Sequence, residues 1–211
     1  MQLVDLTKHG GRADLVVGTK TGSYSGQFMV LKSNAGSPVF SYDFGQTLAT
    51  GAVTSLTCAD YDLDNRLDVV LGVQTGFGTG QLQFWKGTSS GGLGAPMTFA
   101  LDTTVTVPGI PLALASGDLG GLANPDIVMG YRNDETSYLG GVLIYYMDNG
   151  SAAAGPVDPS GGSVTNMVPT LITNDFNYGV KPSTPSPPYL LDVAAGVKSS
   201  ATTGSLVLFL R

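Results

Sequence analysis

Charge is scarce in this chain. Only 12% of its 211 residues are charged, against about a quarter in an average soluble domain. Ser and Thr fill the polar positions where Lys and Glu usually stand, and 30 residues are Gly. The balance is acidic, −6 at neutral pH, which argues against nucleic-acid binding because that needs a basic face. Histidine and cysteine are nearly absent: His9 and Cys58 stand alone. One cysteine excludes an intramolecular disulfide. A histidine-based triad or histidine-cluster metal site would have to rest on His9 alone, and its surroundings, LTKHGGRA, read as a solvated turn. No apolar run approaches the roughly 18 residues of a membrane span. The first residues also lack the pattern of a secretory leader, so the expectation is a removed leader or a segment cut from something longer. The GxSxG elbow, the HExxH helix and a phosphate-cradling glycine loop are missing too, and the chain is expected not to be an enzyme.

What the chain has is a repeat, the feature to look for before any other. The run Asp14-Leu-Val-Val-Gly18 returns as Asp68-Val-Val-Leu-Gly72, Asp126-Ile-Val-Met-Gly130 and Asp192-Val-Ala-Ala-Gly196. These anchors are spaced by 54, 58 and 66 residues. A second glycine follows each tetrad glycine by eight residues, or ten in the third copy: Gly26, Gly80, Gly140 and Gly204. Each opens an apolar segment, QFMVLK, QLQFWK, GVLIYY or SLVLFL, and each tetrad is preceded by an earlier Asp, namely Asp5, Asp60, Asp118 or Asp175.

The second copy is the richest. DYDLDNRLD places Asp60, Asp62, Asp64 and Asp68 in one short loop. Alternating carboxylates in a tight loop converge their oxygens, the arrangement a hard cation such as calcium requires. A bound cation is also the simplest reason to tolerate such mutual repulsion. The loops of the other copies have lost their middle carboxylates, and no tight site is expected there. A weak one using Asp5 and Asp14 is the exception.

The pattern resembles the FG-GAP and VCBS-type repeats of integrin-like β-propellers, whose signature runs DxDxDGxxD, an apolar triplet, then Gly. The resemblance covers nearly the whole chain as four repeats, and 60–72 matches the cation loop, with Asn65 where the family usually has Gly. Asn tolerates the left-handed backbone better than other non-Gly residues. The resemblance implies an all-β fold, a β-propeller or propeller segment of four blade-like repeats with four-stranded antiparallel blades. It implies Ca2+ as the bound ion, Asp60, Asp62, Asp64 and Asp68 as side-chain ligands, and Arg66 as a backbone-carbonyl ligand. One domain over 1–211 is expected, with repeats at roughly 1–50, 51–108, 109–168 and 169–211.

Within this frame the inner strand 53–59 puts Thr54, Leu56 and Cys58 on one face. Leu56, Leu114 and Leu171 are expected in the core, and Cys58 as a small buried hydrophobe rather than a nucleophile. Trp85 aligns with Leu31, Tyr145 and Phe209 as a packing position. Gln83 interrupts the series Met29, Leu143 and Val207, which predicts a less buried face in the second repeat. Outer strands are expected near 39–44 and 96–101, with a third somewhere after Gly150. The stretch 147–164 reads as an irregular loop. The proline-rich segment between Asp175 and Asp192 reads as extended backbone. The hairpin YRNDETSYLGG holds Arg132, Asp134 and Glu135, the densest charge in the chain, and reads as solvation.

The expected role is a non-enzymatic, calcium-stabilised scaffold or binding module of a secreted or cell-surface protein. Alternatives are a structural subunit that polymerises into an extracellular fibre or coat, and a carbohydrate-active enzyme built on Asp134, Glu135 and the loop aspartates. A protein partner or self-association is expected, and carbohydrate is compatible. The last strand, 206–210, leaves an open apolar edge without proline or inward charge, which predicts completion by a strand from outside its repeat.

Overall fold

The computed structural model describes residues 1–6, 12–35, 39–89, 96–119, 124–148, 151–152, 156–159, 161–162, 164–174 and 192–209. The protein is all-β, and no helix occurs among the described residues, so none is long and apolar enough to cross a membrane. Two compact units divide the chain: Met1–Asp60 with Asp64–Pro111, and Tyr61–Leu63 with Leu112–Arg211.

The first unit holds two four-stranded antiparallel meanders. The first sheet is β1 (Gln2–Val4), β2 (Asp14–Gly22), β3 (Ser25–Ser33) and β4 (Phe40–Thr47), side by side in chain order. The second is β5 (Ala52–Ala59), β6 (Asp68–Gly76), β7 (Thr79–Gly87) and β8 (Phe99–Val107), in the same order. A third sheet joins β9 (Ile110–Gly117), β10 (Asp126–Arg132) and β11 (Gly140–Tyr145). After it comes a short pair, β12 (Met147–Asp148) and β13 (Ser151–Ala152). The fourth sheet, in the second unit, is β14 (Met167–Asn174), β15 (Asp192–Lys198) and β16 (Gly204–Phe209).

The repeat anchors fix register. Each tetrad starts a strand with an apolar run, buried throughout in the second and third copies and at alternate residues in the first and fourth. Each tetrad glycine lies opposite an apolar residue of the next strand: Gly18 with Phe28, Gly72 with Leu82, Gly130 with Val142 and Gly196 with Leu206. The second glycine is required by a close approach. A Cβ at Gly26, Gly140 or Gly204 would run into the carbonyl of Thr19, Tyr131 or Val197, and one at Gly80 would meet Val73 O at 3.1 Å. The first two hairpins are tighter than expected. Strand pairing continues to Gly22↔Ser25 and Gly76↔Thr79 through a bulge, leaving two-residue turns.

Both outer strands start later than predicted and share a second bulge. Val30 pairs Phe44 while Leu31 pairs Tyr42, and Phe84 pairs Thr103 while Trp85 pairs Leu101. The extra residue is an aspartate each time, Asp43 or Asp102. A bulged residue twists the strand and re-aims its neighbours, and here it frees a carboxylate: Asp43 accepts the Met97 N–H at 2.8 Å, and Asp102 pairs Lys86 at 3.4 Å.

Each unit has its own core. In the first, Val16, Phe28 and Val30 of the first sheet pack on Leu56, Cys58, Val69, Leu71 and Trp85 of the second. The Phe28 ring lies 5.2 Å from Trp85 and 5.9 Å from Phe99, edge-on to each, a favoured geometry for aromatic pairs. In the second unit, Val128, Val142 and Ile144 of the third sheet pack on Val168, Val193 and Ala195 of the fourth. Leu56 and Cys58 are buried as expected, while Leu114 and Leu171 are only half-buried.

Two expectations are corrected. Gln83 does not mark a less buried face: it is 5% exposed, deeper than the half-buried Met29, Leu143 and Val207. Its amide oxygen accepts the Trp85 indole N–H at 3.2 Å, so the polar group is satisfied inside. The stretch 147–164 is not wholly irregular either. It carries β12 and β13, and Val157 exchanges two backbone hydrogen bonds with Ile144, at 2.8 and 2.9 Å, on the outer side of β11. His9, Pro38 and the proline-rich segment with Tyr178 and Tyr189 lie outside the described residues.

Candidate metal centre

The loop 60–67 joins β5 to β6, and its base is closed by the pairing of Ala59 with Asp68. Asp60 organises the turn from within. Its two carboxylate oxygens accept the N–H groups of Asp64 (3.0 Å) and Asn65 (2.8 Å). Leu63 and Asn65 take left-handed backbone, φ +60° and +66°. That conformation suits Asn65 but is uncommon for a leucine, so the two carboxylate–amide bonds hold a turn that Leu63 alone would resist. In the second unit, Tyr61 is buried and its carbonyl accepts the Asn124 side-chain N–H at 2.8 Å.

One oxygen each from Asp60, Asp62 and Asp68 lies within 4.8 Å of the others. Two ligands on opposite sides of a calcium ion are separated by about 5 Å, twice a bond of about 2.3–2.6 Å, so the three oxygens fit around a single ion. Among the described residues this is the only such group of three or more His, Cys, Asp or Glu. Without a cation, like charges this close repel by about 4 kcal/mol per pair at an effective dielectric of 20. An ion reverses that term. Calcium takes six to eight oxygens, so three carboxylates leave positions for backbone carbonyls and water.

The structure brings together three of the four expected carboxylates. Asp64 is turned elsewhere: its Oδ2 lies 2.9 Å from Arg66 Nε, and its Oδ1 accepts the Arg66 N–H at 2.8 Å. The Arg66 side chain also donates to the Thr88 carbonyl at 3.1 Å, tying the loop to the residue after β7.

Asp68 has a second task that the motif does not announce. It is fully buried, and its Oδ1 accepts the N–H of Gly87 at 2.8 Å. The same bracket recurs where Asp14 accepts from Ser33 and Asp126 accepts from Met147, each at 2.9 Å. In the first three repeats the tetrad aspartate therefore fastens the start of its strand to a residue at or just past the end of the next. The only sequence signal was the constant offset of about 20 residues between these partners. In the third loop the other Asp126 oxygen accepts Leu119 N–H at 2.8 Å, so this carboxylate is committed to backbone. Residues 7–11, 120–123 and 175–191 of the other three loops lie outside the described residues.

The charged hairpin of the third repeat also serves its own backbone. Asp134 accepts the N–H groups of Thr136 (2.8 Å) and Ser137 (2.7 Å), and Arg132 donates to the Glu135 carbonyl at 3.1 Å. The hydrogen bonds from Thr136, backbone first and then hydroxyl, hold the Asp134 carboxyl below its usual value. Cys58 is buried, and burial, with a smaller push from Asp68, raises its thiol to about 12. A thiol held protonated is a poor nucleophile.

No family model matches the chain, and no curated protein matches it.

Proposed function

We propose that this protein is a non-catalytic, calcium-stabilised β-propeller scaffold or binding module, of FG-GAP or VCBS repeat type, belonging to a secreted or cell-surface protein. The observation that carries the reading is the convergence of Asp60, Asp62 and Asp68 on one point in a loop already shaped by Asp60. Four antiparallel sheets with common anchors and register support the propeller, since each such sheet has a face it must bury against a neighbour. The charged groups nearest to an alternative catalytic set, Arg132 and Asp134, are engaged in holding their own turn, which favours a scaffold over a carbohydrate-active enzyme.

Calcium enters as a clamp. Asp60 and Asp68 bound to one ion join the end of β5 to the start of β6, and Asp62 holds the loop between them. Extracellular calcium modules often bind at roughly 0.1–1 mM, so saturating calcium stabilises by linkage. The test is a thermal melt of the intact protein in calcium and after exhaustive chelation, with Asp62→Ala beside it. Chelation should lower the melting temperature of the wild type and leave the variant unmoved. Coincident curves for the wild type in both conditions would refute the reading.

A further inference from the structure

The loop 60–67 is tied to one particular stretch of chain outside it. After β7 the chain leaves the second sheet at Gly87 and returns to it at Phe99. The two arms of this excursion meet in a neck. Thr88 N–H donates to the Thr98 carbonyl at 2.8 Å, and the two threonine hydroxyls lie 2.6 Å apart. Ser89 closes the neck from inside. Its hydroxyl donates to the Pro96 carbonyl at 2.8 Å and accepts the Thr98 N–H at 3.1 Å. Residues 90–95, beyond the neck, lie outside the described residues.

Three consecutive residues of the metal loop hold this neck, each in its own way. The Arg66 side chain donates to the Thr88 carbonyl at 3.1 Å, while its Nε lies 2.9 Å from Asp64 Oδ2. Leu67 lies against the neck through its backbone: a Cβ at Gly87 would stand 2.7 Å from the Leu67 carbonyl oxygen. Asp68 accepts the Gly87 N–H at 2.8 Å. Thr88 is the junction, because its carbonyl faces Arg66 and its N–H faces Thr98. The returning arm is anchored as well, since Met97 N–H donates to Asp43 of the first sheet at 2.8 Å.

We propose that the 60–68 loop and the neck at 87–89 and 96–98 open and close as one unit, with Arg66 as the positioning residue that couples them, so that calcium in the loop keeps the neck shut. The proposal rests on the calcium reading and adds to it what the ion controls. The reason is linkage. Asp68 is at once a member of the carboxylate cluster and the acceptor for Gly87. When the neck opens and Gly87 leaves, this carboxylate loses the bond that fixes its orientation, and the open form binds the ion less well. A ligand that favours the closed form makes opening rarer, by about tenfold at ten times the dissociation constant. Coupling is reciprocal, so an opened neck must weaken calcium binding. Arg66 carries the effect from the loop to Thr88, and Thr88 passes it to Thr98.

The experiment follows amide hydrogen exchange of the intact chain by NMR, which reads local opening, with calcium binding measured by calorimetry on the same samples. In the wild type, calcium at ten times the measured dissociation constant should slow Gly87, Thr88 and Thr98 by about tenfold. Thr136 and Ser137, held by Asp134 in a separate hairpin, should keep one rate. Arg66→Ala retains every carboxylate and the carbonyl of residue 66. It should still bind calcium and keep the slowing at Gly87, yet lose it at Thr88 and Thr98. An Arg66 that merely stiffens the structure would leave the calcium response of those amides intact. Ser89→Ala combined with Thr98→Pro deletes the inner bonds of the neck without touching the loop. In this variant Thr88 should exchange fast, and calcium should bind about fivefold or more weakly. Absence of calcium binding in the wild type would remove the calcium reading and this proposal together. Calcium binding with neck amides indifferent to the ion would overturn this proposal alone. So would slowing of Thr88 that survives Arg66→Ala, or wild-type affinity in a variant whose neck is open.

Discussion

The second and fourth repeats use one set of anchors to make sheets with different fates. Both start a strand with Asp and an apolar triplet and turn on a glycine that no side chain can replace, and both hold the same register across their central pair. In the second, the entire tetrad strand from Asp68 to Gln74 is buried and a fourth strand covers β7. In the fourth, β16 is the outermost of three strands among the described residues and shows two leucines to solvent. Local sequence specifies strand, turn and register; burial depends on which sheet comes next. Hydrophobicity in a strand thus marks a face that needs a neighbour, not one that has found it.

The sharpest test of that distinction swaps the same charge into both repeats. Leu82→Asp puts an unpaired carboxylate in a core position and should cost about 4 kcal/mol or more, a large share of a typical stability of about 5–15 kcal/mol. Leu206→Asp, measured in dilute monomer, should stay within about 0.5 kcal/mol. Urea midpoints that move equally would erase the difference between the repeats.

Next in size is the aspartate bracket. Asp126→Ala, whose carboxylate belongs to no group of three or more metal-ligating side chains among the described residues, strands the buried N–H groups of Met147 and Leu119 and should cost about 2–3 kcal/mol. Unchanged stability would mean that the bracket holds nothing together. The glycine pair follows. Gly72→Ala meets Ser55 and Pro111 and should cost about 1–3 kcal/mol. Gly196→Ala has space and should be neutral or stabilising by up to about 1 kcal/mol, through a less flexible unfolded chain. Equal losses at both positions would show that Gly196 is crowded.

A separate, pH-dependent effect concerns Cys58, which stands where the fourth repeat has Thr173. Its thiol is raised by burial from 9.0 to about 12, so the folded protein holds a proton that the unfolded chain releases sooner. The contribution to stability is complete below pH 9 and is lost as pH climbs toward 12. Cys58→Ser should flatten that alkaline loss, as read from urea midpoints between pH 8 and 11.

Much of this was legible in the sequence because the anchors are local. Strand order, the tight glycines and the carboxylate loop follow from residues a few positions apart. What local pattern cannot supply is the partner of each side chain. Gln83 reads as a break in an apolar series until the Trp85 indole is placed beside it. Asp43 and Asp102 carry no local signal of the bulges at which the ladder places them. Asp64 belongs to the same alternating series as Asp60 and Asp62, yet the neighbouring Arg66 draws it out of the cluster.

Calorimetric titration of the metal-free protein with calcium is the measurement closest to the central proposal, that calcium binds in the 60–68 loop. It should give one site per chain, with a dissociation constant of roughly 0.1–1 mM, and Asp62→Ala should abolish the heat. No binding, more than one site of that affinity, or a site untouched by Asp62→Ala would contradict it.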